Sequence, residues 1–350
     1  MQTTNITQRV IQNKFMHQIR NILAALSLVV GMVLMTSADA GACASCGCTL
    51  SSMQFSDVQG LTFDLRWDYI NQYQLRAGTE TISPVAASKI VNYNGPQEVE
   101  KFTVNNYFTL GIDYVITHEW GVNVQVPYVD RNHSTLGTNS DGINGGPGGG
   151  QYTSHTDSFG DIKVIGRYQG FTPQHNVGIL FGLKLPTGDY TASGQSNDPL
   201  APGPPHIDRG LQPGTGTTDV IFGAFYNGIL SENFGYFTTA IFQEALYSQD
   251  HYTPGNGVNL NVGLRYLSFP VRGVVPQVQL NFRFAERDSG LEADTVSTGG
   301  TLLYISPGVT VPVTHQFSVY GFVQVPIYQN LNGVQLAPLY TTSVGVRYMF

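Results

Sequence analysis

From position 61 to the end of the chain, apolar and polar residues alternate in stretches of roughly 10 to 16 residues, long enough to cross a bilayer as tilted strands. In the first stretch Leu61, Phe63, Leu65, Trp67 and Tyr69 share one face, and Thr62, Asp64, Arg66 and Asp68 share the other. A slip of one residue would carry three charges into lipid, so the register is strongly fixed. The last stretch repeats the pattern, with Tyr340, Thr342, Val344, Val346, Tyr348 and Phe350 opposite Thr341, Ser343, Gly345, Arg347 and Met349. Val258, Leu260, Val262, Leu264 and Tyr266 do the same against Asn259, Asn261 and Arg265. Twelve such stretches are present: 61–76, 101–117, 122–135, 159–170, 177–190, 217–230, 236–250, 257–269, 276–287, 301–313, 317–329 and 336–350. They predict an all-β chain, a transmembrane antiparallel up-and-down barrel of about 12 strands over residues 61–350.

The connections supply a second signal. Those around 118–121, 171–176, 231–235, 270–275 and 314–316 are short, whereas 77–100, 136–158 and 191–216 are long and rich in Gly, Pro, Ser and Asn. Outer-membrane barrels have short periplasmic turns and long external loops, and an even strand number then places both chain ends on the periplasmic side. A soluble sandwich or propeller would have turns of similar length at both ends.

Composition narrows the picture further. Only 12% of residues are charged, Gly (40), Tyr (19) and Phe (19) are abundant, and mean hydropathy is −0.06, unlike a typical cytosolic enzyme. No apolar run of about 18 residues follows the N-terminus, which excludes a helical membrane protein. At the N-terminus Arg9, Lys14 and Arg20 precede an apolar stretch over 22–35 and the small-residue run Ala38-Asp39-Ala40, the layout of a cleaved export signal over residues 1–40. Removing those three basic residues and Asp39 from 17 basic and 24 acidic leaves 14 and 23, a net charge of −9. Nucleic acid is therefore not an expected partner. Phe350, with Tyr348 and Val346 spaced by two, resembles the terminal strand that barrel-assembly machinery recognises; that machinery and the lipids of the outer membrane are the expected macromolecular partners.

Three stretches carry a family resemblance. Gly160-Asp161-Ile162-Lys163 through Tyr168, then the run from Gly182 to Tyr190 containing Lys184-Leu185-Pro186-Thr187-Gly188-Asp189-Tyr190, then Leu211-Gln212-Pro213-Gly214-Thr215-Gly216 resemble the outer-membrane transporters grouped as phenol meta-pathway degradation-type proteins. The resemblance runs from about residue 159 to the C-terminus. It implies a barrel that moves small or apolar compounds, and it brings no catalytic residue with it.

Candidate chemistry is sparse. Cys43, Cys46 and Cys48, the only cysteines, lie just after the expected cleavage point in a segment over 41–60. A disulfide formed in an oxidising compartment is the first expectation; a soft-metal site and lipidation of Cys43 are the alternatives. This segment is also long enough to enter the lumen as a plug, or to remain a tail. The eight histidines form no local metal box, there is no G-x-S-x-G elbow, and neither an enzyme nor a cofactor is expected. Alternation assigns Asp64, Arg66, Asp68, Asp113, Arg167, Lys184, Arg265, Arg283 and Arg347 to the lumen, where they either pair across the barrel or select among solutes. Barrels of about 8 strands are filled by side chains and those of about 16 are open, so twelve imply a narrow lumen. The expected function is a substrate-selective outer-membrane channel for small, aromatic or otherwise apolar molecules. The alternative is a non-conducting outer-membrane barrel that anchors the cysteine segment as a periplasmic metal- or partner-binding element.

Overall fold

A computed structural model describes residues 59–92, 95–96, 99–136, 151–196, 207–271 and 273–350. Its elements in chain order begin with β1 (Gly60–Gly78), the short β2 (Glu80–Thr81), one helical turn α1 (Pro84–Ala87), β3 (Val91–Asn92) and β4 (Gly95–Pro96). There follow β5 (Val99–Val115), β6 (Trp120–Leu136), β7 (Gln151–Phe159), β8 (Ile162–Tyr168), β9 (Val177–Leu185) and the short β10 (Gln195–Ser196). The remainder is β11 (Asp219–Ser231), β12 (Phe234–Ala245), β13 (Gly257–Tyr266), β14 (Val275–Ala285), β15 (Gly300–Pro312) and β16 (Phe317–Met349).

Each long strand pairs antiparallel with the next, and the ring closes because β1 pairs with both β5 and β16 while β6 pairs with both β7 and β8. β7 and β8 are one wall strand broken at Gly160-Asp161: the outer part runs beside β6 at 128–136, the inner part beside β6 at 120–125. β16 is two strands. Its 33 residues would reach ~110 Å if straight, far more than a bilayer needs, and instead 318–331 pair with β15 while 334–349 pair with β1. Gly333, at φ +56°, makes the turn between the arms, and Gln329 donates to the Pro338 carbonyl across them. Counting the broken strand once and the folded one twice gives the twelve-stranded closed barrel that alternation predicts.

The outward faces explain why this wall sits in a bilayer. Leu65, Phe108, Leu110, Phe181, Leu183, Val262, Leu280, Ile305, Val325 and Val344 are exposed although apolar, a continuous belt that water would penalise and lipid does not. Two rings of aromatic contacts bound it. At the short-turn end Trp120 packs on Tyr168, Phe234 on Tyr266 and Tyr348 on Phe350; at the other end Tyr73 packs on Phe102 and Tyr128 on Phe159. Along β1 the rings are ten residues apart, Phe63 to Tyr73, a rise of about 25 Å for a strand tilted by about 40°, which is the height of an outer-membrane barrel's apolar band.

Most strand limits fall within about three residues of those expected; residues 186–190 and 246–250, expected as strand ends, are instead connections because β9 ends at Leu185 and β12 at Ala245, and one stretch is corrected the other way. Residues 151–158 read as loop, yet β7 occupies Gln151–Phe159. Its outward residues Thr153, His155 and Asp157 are polar because this part of the strand stands above the aromatic ring, where no lipid demands an apolar face. Several strands project beyond the membrane at this end, where residues 79–98, 186–218, 246–256 and 286–299 connect them; the other end has short turns and both described chain ends.

Candidate functional site in the barrel lumen

All nine charged residues expected in the lumen lie on the inward face of their strands, and most are gathered into three ion-pair clusters. In the first, Arg347 pairs with Asp64 at 3.0 Å, Arg66 pairs with Asp68 at 2.8 Å, and the Tyr320 hydroxyl donates to Asp64 at 2.7 Å; the Ser343 hydroxyl donates to Asp68. In the second, Arg167, only 1% exposed, pairs with Asp113 at 2.6 Å. Gly121 makes room for it, since a Cβ there would lie 2.7 Å from the guanidinium carbon. Arg265 instead lies over the ring of Phe237 at 4.6 Å, and Arg283 faces inward from β14 between Asn259 and Leu302.

The third cluster is built by the residues that carry the family resemblance. Lys184 pairs with Asp161 at 3.2 Å and Asp219 at 2.9 Å, and also donates to Thr215 and Thr217. The Asp161 carboxylate accepts from the Gly188 amide at 3.0 Å and from both the amide and the hydroxyl of Thr215 at 2.9 Å. Thr187 receives the Ile162 amide and donates to the Gly160 carbonyl. The backbone is pressed together here: a Cβ at Gly188 would stand 2.8 Å from both the carbonyl carbon of Gly160 and the Cα of Gly214. The KLPTGDY run and the Pro-Gly-Thr-Gly run are therefore locked through Thr187-Gly188 and Gly214-Thr215 onto the break between β7 and β8. Without that lock the wall beside β7 would have no partner, because β9 ends at Leu185.

Sequence reasoning missed several members of this group. Lys163, on the same face of β8 as Arg167, donates to Gln243 at 3.0 Å, and Gln243 in turn donates to Asp219 at 2.6 Å. The alternation that assigns Arg167 to the lumen assigns Lys163 as well. Asp161 and Asp219 stand at strand ends, where alternation fades, and only the folded chain brings them to Lys184. Arg131 was missed too; it is 2% exposed and donates to Asn105 and to the Tyr107 hydroxyl, each at 2.5 Å. On the short-turn side of the third cluster the inner wall becomes apolar: Ile165, Leu180, Ile221 and Phe225 form a buried cluster with Ile241 packed against it.

At the loop end a mouth cavity is lined by Gln72, Glu100, Asp208, Arg209, Tyr252 and Asp294 among others. Arg209 is sandwiched between the rings of Tyr190 at 4.7 Å and Tyr252 at 4.9 Å. Asp208 reaches the cavity's open space, but crowding by surrounding loops and the nearby Asp294 carboxylate push its pKa up to about 6. Among the described residues no group of three or more His, Cys, Asp or Glu side chains could hold a metal ion. His118 and His175 stack at 6.1 Å between the short turns, and His133 is bonded to Thr103 at 2.8 Å. Cys43, Cys46 and Cys48 lie outside the described residues.

With the barrel and its lumen defined, the solved structures become informative. An outer-membrane channel from Pseudomonas putida F1 superposes with a TM-score of 0.59, covering 86% of this chain and 100% of that one at 11% identity. This chain has the fold of an outer-membrane channel. The transport unit of the autotransporter AIDA-I from Escherichia coli matches at a TM-score of 0.49 over 88% of this chain and 95% of its own, at 12% identity. The CymD monoaromatic hydrocarbon channel matches at 0.46 over 83% and 89%, at 11% identity. No family model and no curated protein matches the sequence.

Proposed function

We propose that this chain is an outer-membrane channel that passes small, aromatic or otherwise apolar molecules selectively. The observation that carries the reading is the closed twelve-stranded wall with a lipid-facing apolar belt outside and, inside, clustered charges beside a buried apolar patch. A wide porin would have an open, water-filled lumen, whereas here Asp68, Ile70, Arg167, Gln324 and Thr341 are buried, so passage is narrow and substrate-dependent. The resemblance of the Gly160–Gly216 region to phenol meta-pathway degradation-type transporters favours aromatic compounds. Phe350 pairs beside Leu61 at the seam where first and last strands meet, a placement that suits recognition of the terminal strand by the assembly machinery.

Uptake of radiolabelled phenol, benzoate and glucose by the parent strain, a deletion strain and the deletion strain carrying the gene on a plasmid tests this reading. Aromatic uptake is expected to fall on deletion and return on complementation while glucose uptake stays level. Equal uptake of all three in both strains would contradict it.

A further inference from the structure

We propose that Lys163 is the specificity-determining residue of the lumen, and that the solute it selects carries one carboxylate on a small apolar body. This rests on the channel reading above and names its substrate class.

Lys163 is set apart from the other cations by what surrounds it. Its ammonium projects from β8 and reaches Gln243 on β12 at 3.0 Å, although β9 and β11 lie between those strands, a separation of about 14 Å along the wall. The side chain therefore leaves the wall and bridges a quarter of the ring. Among the described residues it has no carboxylate within ion-pair distance; Gln243 is its one hydrogen-bond partner, and an ammonium has three donors. The two nearest carboxylates are already engaged. Asp161 serves Lys184, Gly188 and Thr215, while Asp219 serves Lys184, Thr217 and Gln243. Gln243 is held by Asp219 so that its carbonyl oxygen faces Lys163, fixing the cation in place.

An ammonium that faces a narrow lumen with no carboxylate paired directly to it is a site for a mobile anion, because the anion supplies a direct ion pair that Gln243 does not. The rest of the lumen favours the same sign. Between the two rims the inward described residues include seven cations (Arg66, Lys163, Arg167, Lys184, Arg265, Arg283 and Arg347) and five carboxylates (Asp64, Asp68, Asp113, Asp161 and Asp219), an excess of two positive charges inside a chain whose net charge is −7. The apolar patch of Ile165, Leu180, Ile221, Phe225 and Ile241 begins one inward position beyond Lys163 on β8. A carboxylate at Lys163 thus leaves an apolar body against that patch, whereas a neutral hydrocarbon gains only the second contact and a cation is repelled by the first.

Reversal potentials of the purified full chain in planar bilayers read this directly, with benzoate and phenyltrimethylammonium as size-matched probes. The wild-type barrel is expected to pass benzoate in preference to phenyltrimethylammonium, and Lys163→Glu to lower that preference on the order of tenfold. Lys163→Arg should retain it. Heat-modifiable migration in electrophoresis identifies variants that have folded, and Lys163→Gln provides a milder charge loss should Lys163→Glu fail that check. Equal passage of the two probes through the wild-type barrel, or an unchanged preference in folded Lys163→Glu and Lys163→Gln, would overturn the inference while leaving the channel reading intact. A wild-type barrel that conducts nothing would overturn both.

Discussion

Asp161 shows how much of this barrel depends on one side chain. It is 7% exposed and its carboxylate joins three chain segments that are distant in sequence: the break between β7 and β8, the Thr187-Gly188 turn, and Thr215. Removing it would leave Lys184 with Asp219 alone and strand two backbone amides. Loss of one member of a buried charged network costs about 3 kcal/mol, and a stranded amide about 1 kcal/mol or more. Asp161→Ala is therefore expected to lower the unfolding midpoint in detergent clearly, and Asp161→Asn, which keeps an acceptor but not the charge, to fall between it and wild type. Matching midpoints for all three would contradict the assigned role. At this scale the sequence discloses inward charge wherever the flanking residues alternate, as at Asp64 and Arg347, because the pleat alone decides the face. It does not disclose that Asp161 and Lys184 meet, since that contact depends on a broken strand and a loop closing over it.

Among the elements, the strands were legible and the mouth was not. β1, β13 and the second arm of β16 announce themselves because one face must satisfy lipid and the other must not. β7 stands above the lipid, so that constraint is absent and its polar sequence resembles loop. The break at Gly160-Asp161 was equally hidden: a side chain at Gly160 would press on Pro127 and on the Pro213 carbonyl, neighbours that only the folded chain brings there. The loops of the mouth carry their own test. Asp208, near Asp294, has a pKa pushed up from its ordinary 3.8 to about 6, so the folded mouth binds a proton more tightly than the unfolded chain does. Its charged form opposes folding above that value, and the opposition is relieved as pH falls through 6 toward 4. Backbone amides of 207–218 are expected to exchange hydrogen more slowly at pH 5 than at pH 7 after correction for intrinsic rates. Asp208→Asn should remove most of that difference; a pH-independent pattern in the wild-type chain would count against the crowding assigned to this carboxylate.

For the molecule as a whole, the account joins an apolar exterior about 25 Å tall to a lumen that is charged, narrow and positive in balance. The even strand number and the short turns at one end follow from the alternation and spacing of the sequence, and the Pseudomonas putida F1 channel shares the fold at a TM-score of 0.59. What no linear pattern contains is the coincidence of Lys163, Gln243 and the Ile165 patch at one level of the lumen, because the three come from β8, β9, β11 and β12 and meet only once the ring is closed. The central claim is that this lumen conducts. Single-channel recording of the purified full chain in planar bilayers tests it most directly: discrete, reproducible current steps smaller than those of a sixteen-stranded porin are expected, and a membrane that stays silent while the inserted protein shows heat-modifiable migration would contradict the account.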